Sequence, residues 1–140
     1  MTTPSSDTLL LALRRLRTGF AAHDRAVANT AGLRESDLTV LEVLHREGPQ
    51  TPTVLAHRTS THLATMTGVL TRLERDGWIE RHPDAADRRS IRIHATSIER
   101  FQALYADSIG RLLEVIERWT DEQAQSFLDA TEDIARALED

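Results

Sequence analysis

The chain predicts a mainly α-helical fold with a small β-wing, that is, a helix-turn-helix followed by a hairpin and flanked by further helices. Three observations predict it. Apolar residues at 63, 66, 69, 70 and 73 recur at the spacing of one helix face. Directly after Gly77, two short alternating stretches, 78–82 and 90–94, enclose a loop with Pro and Asp, as in a hairpin. Amphipathic helical patterns precede and follow this block, bounded by Gly, Pro and hydroxyl caps.

Taken in order, residues 1–7 read as disordered, and they lack the charged-then-apolar layout of a signal peptide. From residue 8 to about residue 28, Leu9, Leu13, Leu16 and Phe20 follow i, i+4, i+7 spacing, and the stretch 29–32 breaks the helix. A second helix over 35–46 turns Leu38, Leu41 and Leu44 inward and stops at Gly48-Pro49. Thr51 followed by Pro52 is a cap with proline at the first helical position, opening a short helix over 52–57 that buries Val54 and Leu55. Thr59, Ser60 and Thr61 form the turn into the helix over 62–76.

That helix carries the functional argument. At about 100° per residue, Leu63, Met66, Val69, Leu70 and Leu73 form the buried face. The opposite face holds Thr61, Ala64, Thr65, Gly68, Thr71, Arg72 and Arg75, small, hydroxylated and basic, with no acid among them. A solvated helix face ordinarily mixes in acids, whereas small polar side chains plus Arg suit a DNA major groove. In the hairpin, Arg88 and Arg89 stand at the descending edge of the loop, placed to reach a phosphate backbone or minor groove, and Asp87 is expected to pair with one of them and fix its direction. Thr96 and Glu99 form a capping box that opens one long helix to about residue 119, with Ile98, Phe101, Tyr105, Leu112, Ile116 and Trp119 as its stripe. Thr120 and Gln123 form a second box, opening a last helix with Phe127, Leu128, Ile134 and Leu138 inward.

Composition is consistent with this. Of 140 residues, 40% are hydrophobic and 28% charged. No apolar run is long enough to span a bilayer, so a cytoplasmic protein without a membrane partner is expected. The chain has no Cys, which excludes disulfides and thiol-based sensing, and every basic residue except His is Arg. Although the net charge is −5, residues 57–94 carry seven Arg against five acids, a net of +2.

These residues resemble the MarR family of winged-helix transcription regulators. The resemblance runs over nearly the whole chain. It is strongest at Leu70-Thr-Arg-Leu-Glu-Arg-Asp-Gly-Trp-Ile-Glu-Arg and at Asp84-Ala-Ala-Asp87-Arg88-Arg89. It implies a homodimer in which the first and the last two helices interlock with a partner chain: 1–33 as an N-terminal dimerisation helix, 34–95 as the winged helix-turn-helix DNA-binding domain and 96–140 as C-terminal dimerisation helices. It further implies a transcriptional regulator, a repressor relieved by a small-molecule effector, binding a palindromic double-stranded DNA operator. Thr61, His62, Thr65, Thr67, Gly68 and Arg72 would face the major groove or its phosphates. Asp87, Arg88 and Arg89 would serve the wing. Phe20, His23 and Trp78 would line the effector cleft. Two positions depart from the family pattern. Thr67 is followed by Gly68 where an Arg is usual, at a helix cost of about 1 kcal/mol. The second strand leads into His94-Ala-Thr-Ser-Ile98, without the usual Gly.

Other functions were weighed. No Gly-rich phosphate loop, GxSxG elbow or HExxH pair supports an enzyme, and no cofactor is implied. A metal-responsive regulator of the same fold is an alternative, but none of His23, His45, His57, His62, His82 and His94 pairs at i, i+4 spacing, and no metal ligand is assigned. A winged helix that binds protein without DNA specificity is the other.

Overall fold

The computed structural model describes residues 2–139. Among these, α1 (Ser6–Ala31), α2 (Glu35–Glu47), α3 (Pro52–Arg58) and α4 (Leu63–Arg75) lead into β1 (Ile79–Pro83) and β2 (Ile91–Ala95), followed by α5 (Ile98–Tyr105), α6 (Gly110–Glu117) and α7 (Asp121–Glu139). The expected class, mainly α with a small β-wing, is the observed one. Two compact units divide the chain, Met1–Leu104 and Tyr105–Asp140.

In the first unit, α1 starts earlier and ends later than the pattern predicts. The Ser5 hydroxyl accepts the Thr8 amide at 3.2 Å, so the helix begins inside the segment expected to be disordered. At the other end, Val27 and Ala28 are buried and the Thr30 hydroxyl donates to the Ala26 carbonyl, which carries the helix through Asn29 and Thr30 to Ala31. Gly32 then takes a left-handed conformation (φ 71°) and closes it. The second and third helices fall where expected, and the Thr51 hydroxyl accepts the Val54 amide as the predicted cap. Leu55 is sealed in the core, whereas Val54 is only half-buried.

The core of this unit is Val40, Leu55, Met66, Leu70, Leu73, Ile79 and Ile93, all under 2% exposed. It forms where α4 packs on α3 and β1, and where α2 packs on α3, α4 and β2. Four of the five apolar positions assigned to the inner face of α4 are buried, but Leu63 is 51% exposed. It opens the helix and lies at the margin of the arc spanned by the other four, so the core does not reach it.

The strands sit one residue later than predicted, Trp78 preceding β1 rather than starting it. Their antiparallel register pairs Ile79 with Ala95 and Pro83 with Ile91. A third chain segment, which the sequence reading missed, completes this sheet. Gln50 and Ile93 exchange both backbone hydrogen bonds, at 2.7 and 3.2 Å. A single bridging residue has no alternation to betray it.

The cap of α5 is Ser97, not Thr96. The Ser97 hydroxyl accepts the Arg100 amide, while the Thr96 hydroxyl donates to the Gly77 carbonyl at 2.7 Å. Nor do residues 98–119 form one helix. The stretch Ala106-Asp-Ser-Ile109 is a turn in which the Ser108 hydroxyl donates to the Tyr105 carbonyl. Asp107, Ser108 and Gly110 are all weak helix formers, which concentrates poor propensity at this point.

In the second unit the box at Thr120 and Gln123 forms as predicted. Thr120 Oγ1 accepts the Gln123 amide at 3.1 Å, and Gln123 Oε1 accepts the Thr120 amide at 2.9 Å. The stripe it introduces is not buried by the chain. Phe127, Leu128, Ile134 and Leu138 are 50, 51, 38 and 80% exposed, and Trp119 stacks on Phe127 with ring centroids 4.9 Å apart.

Candidate nucleic-acid interface

The turn between α3 and α4 is held by its own hydroxyls. Thr59 Oγ1 donates to the Leu55 carbonyl at 2.8 Å, and Thr61 Oγ1 donates to the Thr59 carbonyl at 3.1 Å. Ser60 takes a left-handed backbone conformation (φ 51°), the one non-glycine residue described with positive φ, and this re-aims the chain into α4. Thr61 therefore shapes the turn, and its hydroxyl oxygen retains lone pairs as an acceptor. His62 occupies the position before the helix in extended conformation and makes no capping bond with its side chain.

Along the outer face of α4, Leu63, Ala64, Thr65, Thr67, Gly68 and Thr71 are all exposed and none is acidic. The Thr67 and Thr71 hydroxyls donate to the carbonyls of Leu63 and Thr67, at 3.0 and 2.9 Å. Their protons are committed, so each offers outward a methyl group and an acceptor oxygen.

Arg72 is only half exposed. Its Nη2 donates to Asp37 Oδ1 at 3.1 Å, and Asp37 is buried at 4% exposure. Asp37 Oδ2 in turn accepts the Arg34 amide at 2.9 Å, so one carboxylate caps α2 and binds α4. Asp37 was missed in the sequence. The signal existed: Asp37, Leu41 and Leu44 share i, i+4, i+7 spacing, which places an acid on the inner stripe of α2. Arg75 turns to Asp76 at 3.1 Å, a bond that raises the Arg75 pKa and lowers that of Asp76.

α4 ends in a tied corner. Gly77 is left-handed (φ 78°), and the Trp78 amide donates back to the Leu73 carbonyl at 2.9 Å. Trp78 is buried, with the Arg100 guanidinium 3.5 Å from its ring centroid.

The wing tip is built by two aspartates. Asp84 Oδ1 accepts the Ala86 amide and Oδ2 pairs with Arg92 at 3.2 Å. The Ala86 amide first, and Arg92 after it, hold the Asp84 carboxyl below its ordinary range, against the opposing effect of burial. Asp87 does not pair with an arginine side chain as expected; its Oδ1 accepts the Arg89 backbone amide at 3.0 Å, and its carbonyl accepts the Ser90 amide. A short carboxylate reaches an amide two residues ahead more readily than it reaches the end of a flexible Arg. Arg88 and Arg89 are exposed and, among the described residues, have no carboxylate within ion-pair distance, whereas Arg46, Arg58, Arg72, Arg75, Arg81 and Arg92 each have one.

The residues named for an effector cleft are not equivalent. Phe20 is exposed, His23 is half-buried with Nδ1 4.0 Å from Asp24 Oδ1, and Trp78 lies beneath Arg100. A concavity of about 240 Å³ between α1 and α2 is lined by Ala21, Asp24, Arg25, Leu38, Thr39 and Glu42 among others, and by none of those three.

Comparison with known proteins places this arrangement. The MarR family model matches residues 33–91, from just before α2 through the wing loop to the first residue of β2. The chain is 30% identical to the HTH-type transcriptional repressor YetL of Bacillus subtilis (strain 168) over 76% of its own length, and spans 66% of that relative. It is 27% identical to the solved transcriptional regulator PA4135, covering 96% of this chain and 98% of that one with a TM-score of 0.65. With the transcriptional regulator Tm0710 from Thermotoga maritima the identity is 25%, coverage 96% of each chain and the TM-score 0.70. In family, motif and fold alike, this chain belongs to the MarR family of winged helix-turn-helix proteins.

Proposed function

We propose that the chain is a sequence-specific DNA-binding transcriptional regulator that acts as a homodimer on a palindromic operator. The observation that carries this reading is the pair Arg88 and Arg89, exposed on the wing without a carboxylate partner among the described residues, in the same unit as an exposed helix face without acids. Guanidinium groups left without internal carboxylates gain most from phosphate oxygens. His62, Thr65, Thr67 and Gly68 present small or polar groups to the major groove, Thr61 sets the turn, and Asp87 shapes the wing. Binding, rather than catalysis, is the activity.

Exposed apolar stripes support the homodimer. Leu9, Leu13, Leu16 and Phe20 on α1, Leu112, Leu113, Val115 and Ile116 on α6, and Phe127 and Leu128 on α7 are 38–54% exposed. Apolar surface of this extent marks association. Two chains on one two-fold axis would read half-sites about one helical turn apart. Repression is the favoured direction because YetL is a named repressor. Relief by a small molecule is what the family resemblance implies, with Phe20, His23 and Trp78 as candidate lining. No helix among the described residues is long and apolar enough to cross a membrane.

The test is fluorescence anisotropy of the purified protein on the duplex immediately upstream of its gene and on a scrambled duplex, at several salt concentrations. Preferential, salt-dependent binding to the upstream duplex is expected. The double variant Arg88→Ala/Arg89→Ala should weaken binding to every duplex and reduce the salt slope by up to about 2. An unchanged affinity in that variant would sink the wing assignment.

A further inference from the structure

We infer that Asp37 is a positioning residue of the DNA-reading surface. It clamps one edge of the Arg72 guanidinium so that the Nη1 edge, beside Gly68, is presented to a base acceptor. This rests on the DNA-binding reading above and deepens it.

The three nitrogens of Arg72 have different fates. Nη2 is taken by Asp37 Oδ1 at 3.1 Å. Nε is buried without a hydrogen-bond partner. Nη1 has no partner among the described residues and, unlike Nε, is not sealed from solvent. It is the side chain's free edge. An ideal Cβ built on Gly68 would lie 3.9 Å from this same Nη1, the one contact within 4 Å apart from its chain neighbours and the adjacent helix backbone. The missing side chain at 68 therefore leaves open the face of α4 beside the guanidinium, at a position where a long side chain would cover it.

Asp37 makes the presentation rigid. Its side chain is 6% exposed and is itself fixed, because Oδ2 accepts the Arg34 amide at the start of α2. An exposed Arg samples many rotamers, and ordering it on binding opposes affinity. Here the ordering is done in the free protein by a buried acid. A guanidinium held at one edge by carboxylate still offers donors at the other in a fixed plane, the geometry that distinguishes Arg from Lys in reading guanine or phosphate. Gly68, which costs α4 helix propensity, is thereby given a reason.

The experiment uses the full chain and two duplexes: one recovered by the wild-type protein from a randomised pool, the other its scrambled counterpart. The quantity read is the ratio of the two affinities, with thermal melting of each variant as the control for folding. Arg72→Lys and Asp37→Asn are each expected to lower the ratio about tenfold, the discrimination carried by one specific base contact. The scrambled-duplex affinity should not fall. Gly68→Leu should lower the ratio in the wild-type background and have little further effect in the Arg72→Lys background, because both act on one contact. An undiminished ratio in Arg72→Lys overturns the inference. So does a Gly68→Leu effect of equal size in both backgrounds, which would mean simple steric blocking of the groove; this readout stands even if Asp37→Asn fails to fold. A pool from which the wild-type protein recovers no preferred duplex overturns the regulator reading itself, and this inference with it.

Discussion

The stretch from Val27 to Phe101 and the helices α6 and α7 solve opposite problems. Every buried hydrophobic residue described falls in the first stretch, from Val27 to Phe101. In α6 and α7, among the described residues, none is buried, although both helices carry apolar residues at helical spacing. The first region folds most of its apolar residues onto itself, leaving Leu63, Ile91 and Ile98 exposed. The second displays its apolar face. The lesson is that amphipathic periodicity reports a face that needs covering, without saying by what. In the winged helix the cover is the same chain. For α1, α6 and α7 it is, on the reading proposed above, a second copy.

The sharpest way to break this comparison is to charge the displayed face. Phe127→Asp with Leu128→Asp places two acids on α7, where the wild-type side chains are 50 and 51% exposed. In a monomer such surface changes would be nearly neutral. If the face is an interface, sedimentation should show a shift to monomer, with DNA affinity falling about 100-fold or more as the second half-site contact is lost. A variant that sediments and binds as wild type would show the stripe to be mere surface.

Next in size is the contrasting change within the self-covered core. Leu70 is fully buried between α4 and its neighbours. Leu70→Ala should cost about 3 kcal/mol in denaturant unfolding, by lost transfer energy plus a cavity. A loss well under about 1 kcal/mol would mean that the core collapses around the gap, and that the two regions differ less in packing than their exposures imply.

The smallest effect lies at the wing, which belongs to neither extreme. The Asp84 carboxyl at the wing tip has its pKa lowered by folding, chiefly by the Ala86 amide. A carboxylate with a depressed folded pKa contributes order that is fully present above its ordinary pKa of 3.8 and is lost as pH falls through the lower folded value. Amide exchange at Ala86 should therefore be protected at neutral pH, and the protection should weaken below about pH 4. Asp84→Asn should reproduce the loosening at neutral pH. Protection independent of pH would assign the order of the tip to the Asp84–Ser90 and Asp87–Ser90 backbone bonds alone.

Much of the site was readable before the fold. The turn, the acid-free outer face of α4, Gly77 at its end and the paired arginines all follow from local rules, in which each residue type has one physical reason to stand where it does. The capping box at Thr120 is of the same kind, and it forms as written. What failed failed for tertiary or competitive reasons. Thr96 was the better local cap, but its hydroxyl is claimed by the Gly77 carbonyl across the sheet corner, leaving Ser97 to cap α5. The helix expected to run to residue 119 breaks at 106–109, where Asp107, Ser108 and Gly110 are poor helix formers, even though the Tyr105 carbonyl still accepts the Ile109 amide at 2.9 Å.

The sequence by itself determined the order of elements, the inner face of α4 and the wing's basic edge, because periodicity, caps and turn chemistry act over a few residues. Only the tertiary structure decided which arginines are spoken for. Arg72 and Arg88 look alike along the chain, yet one is held by a buried acid 35 residues away and the other has no carboxylate partner among the described residues. It likewise decided that Gln50 joins the sheet through Ile93. Both depend on contacts between segments distant in sequence, and no local pattern encodes a distance in space.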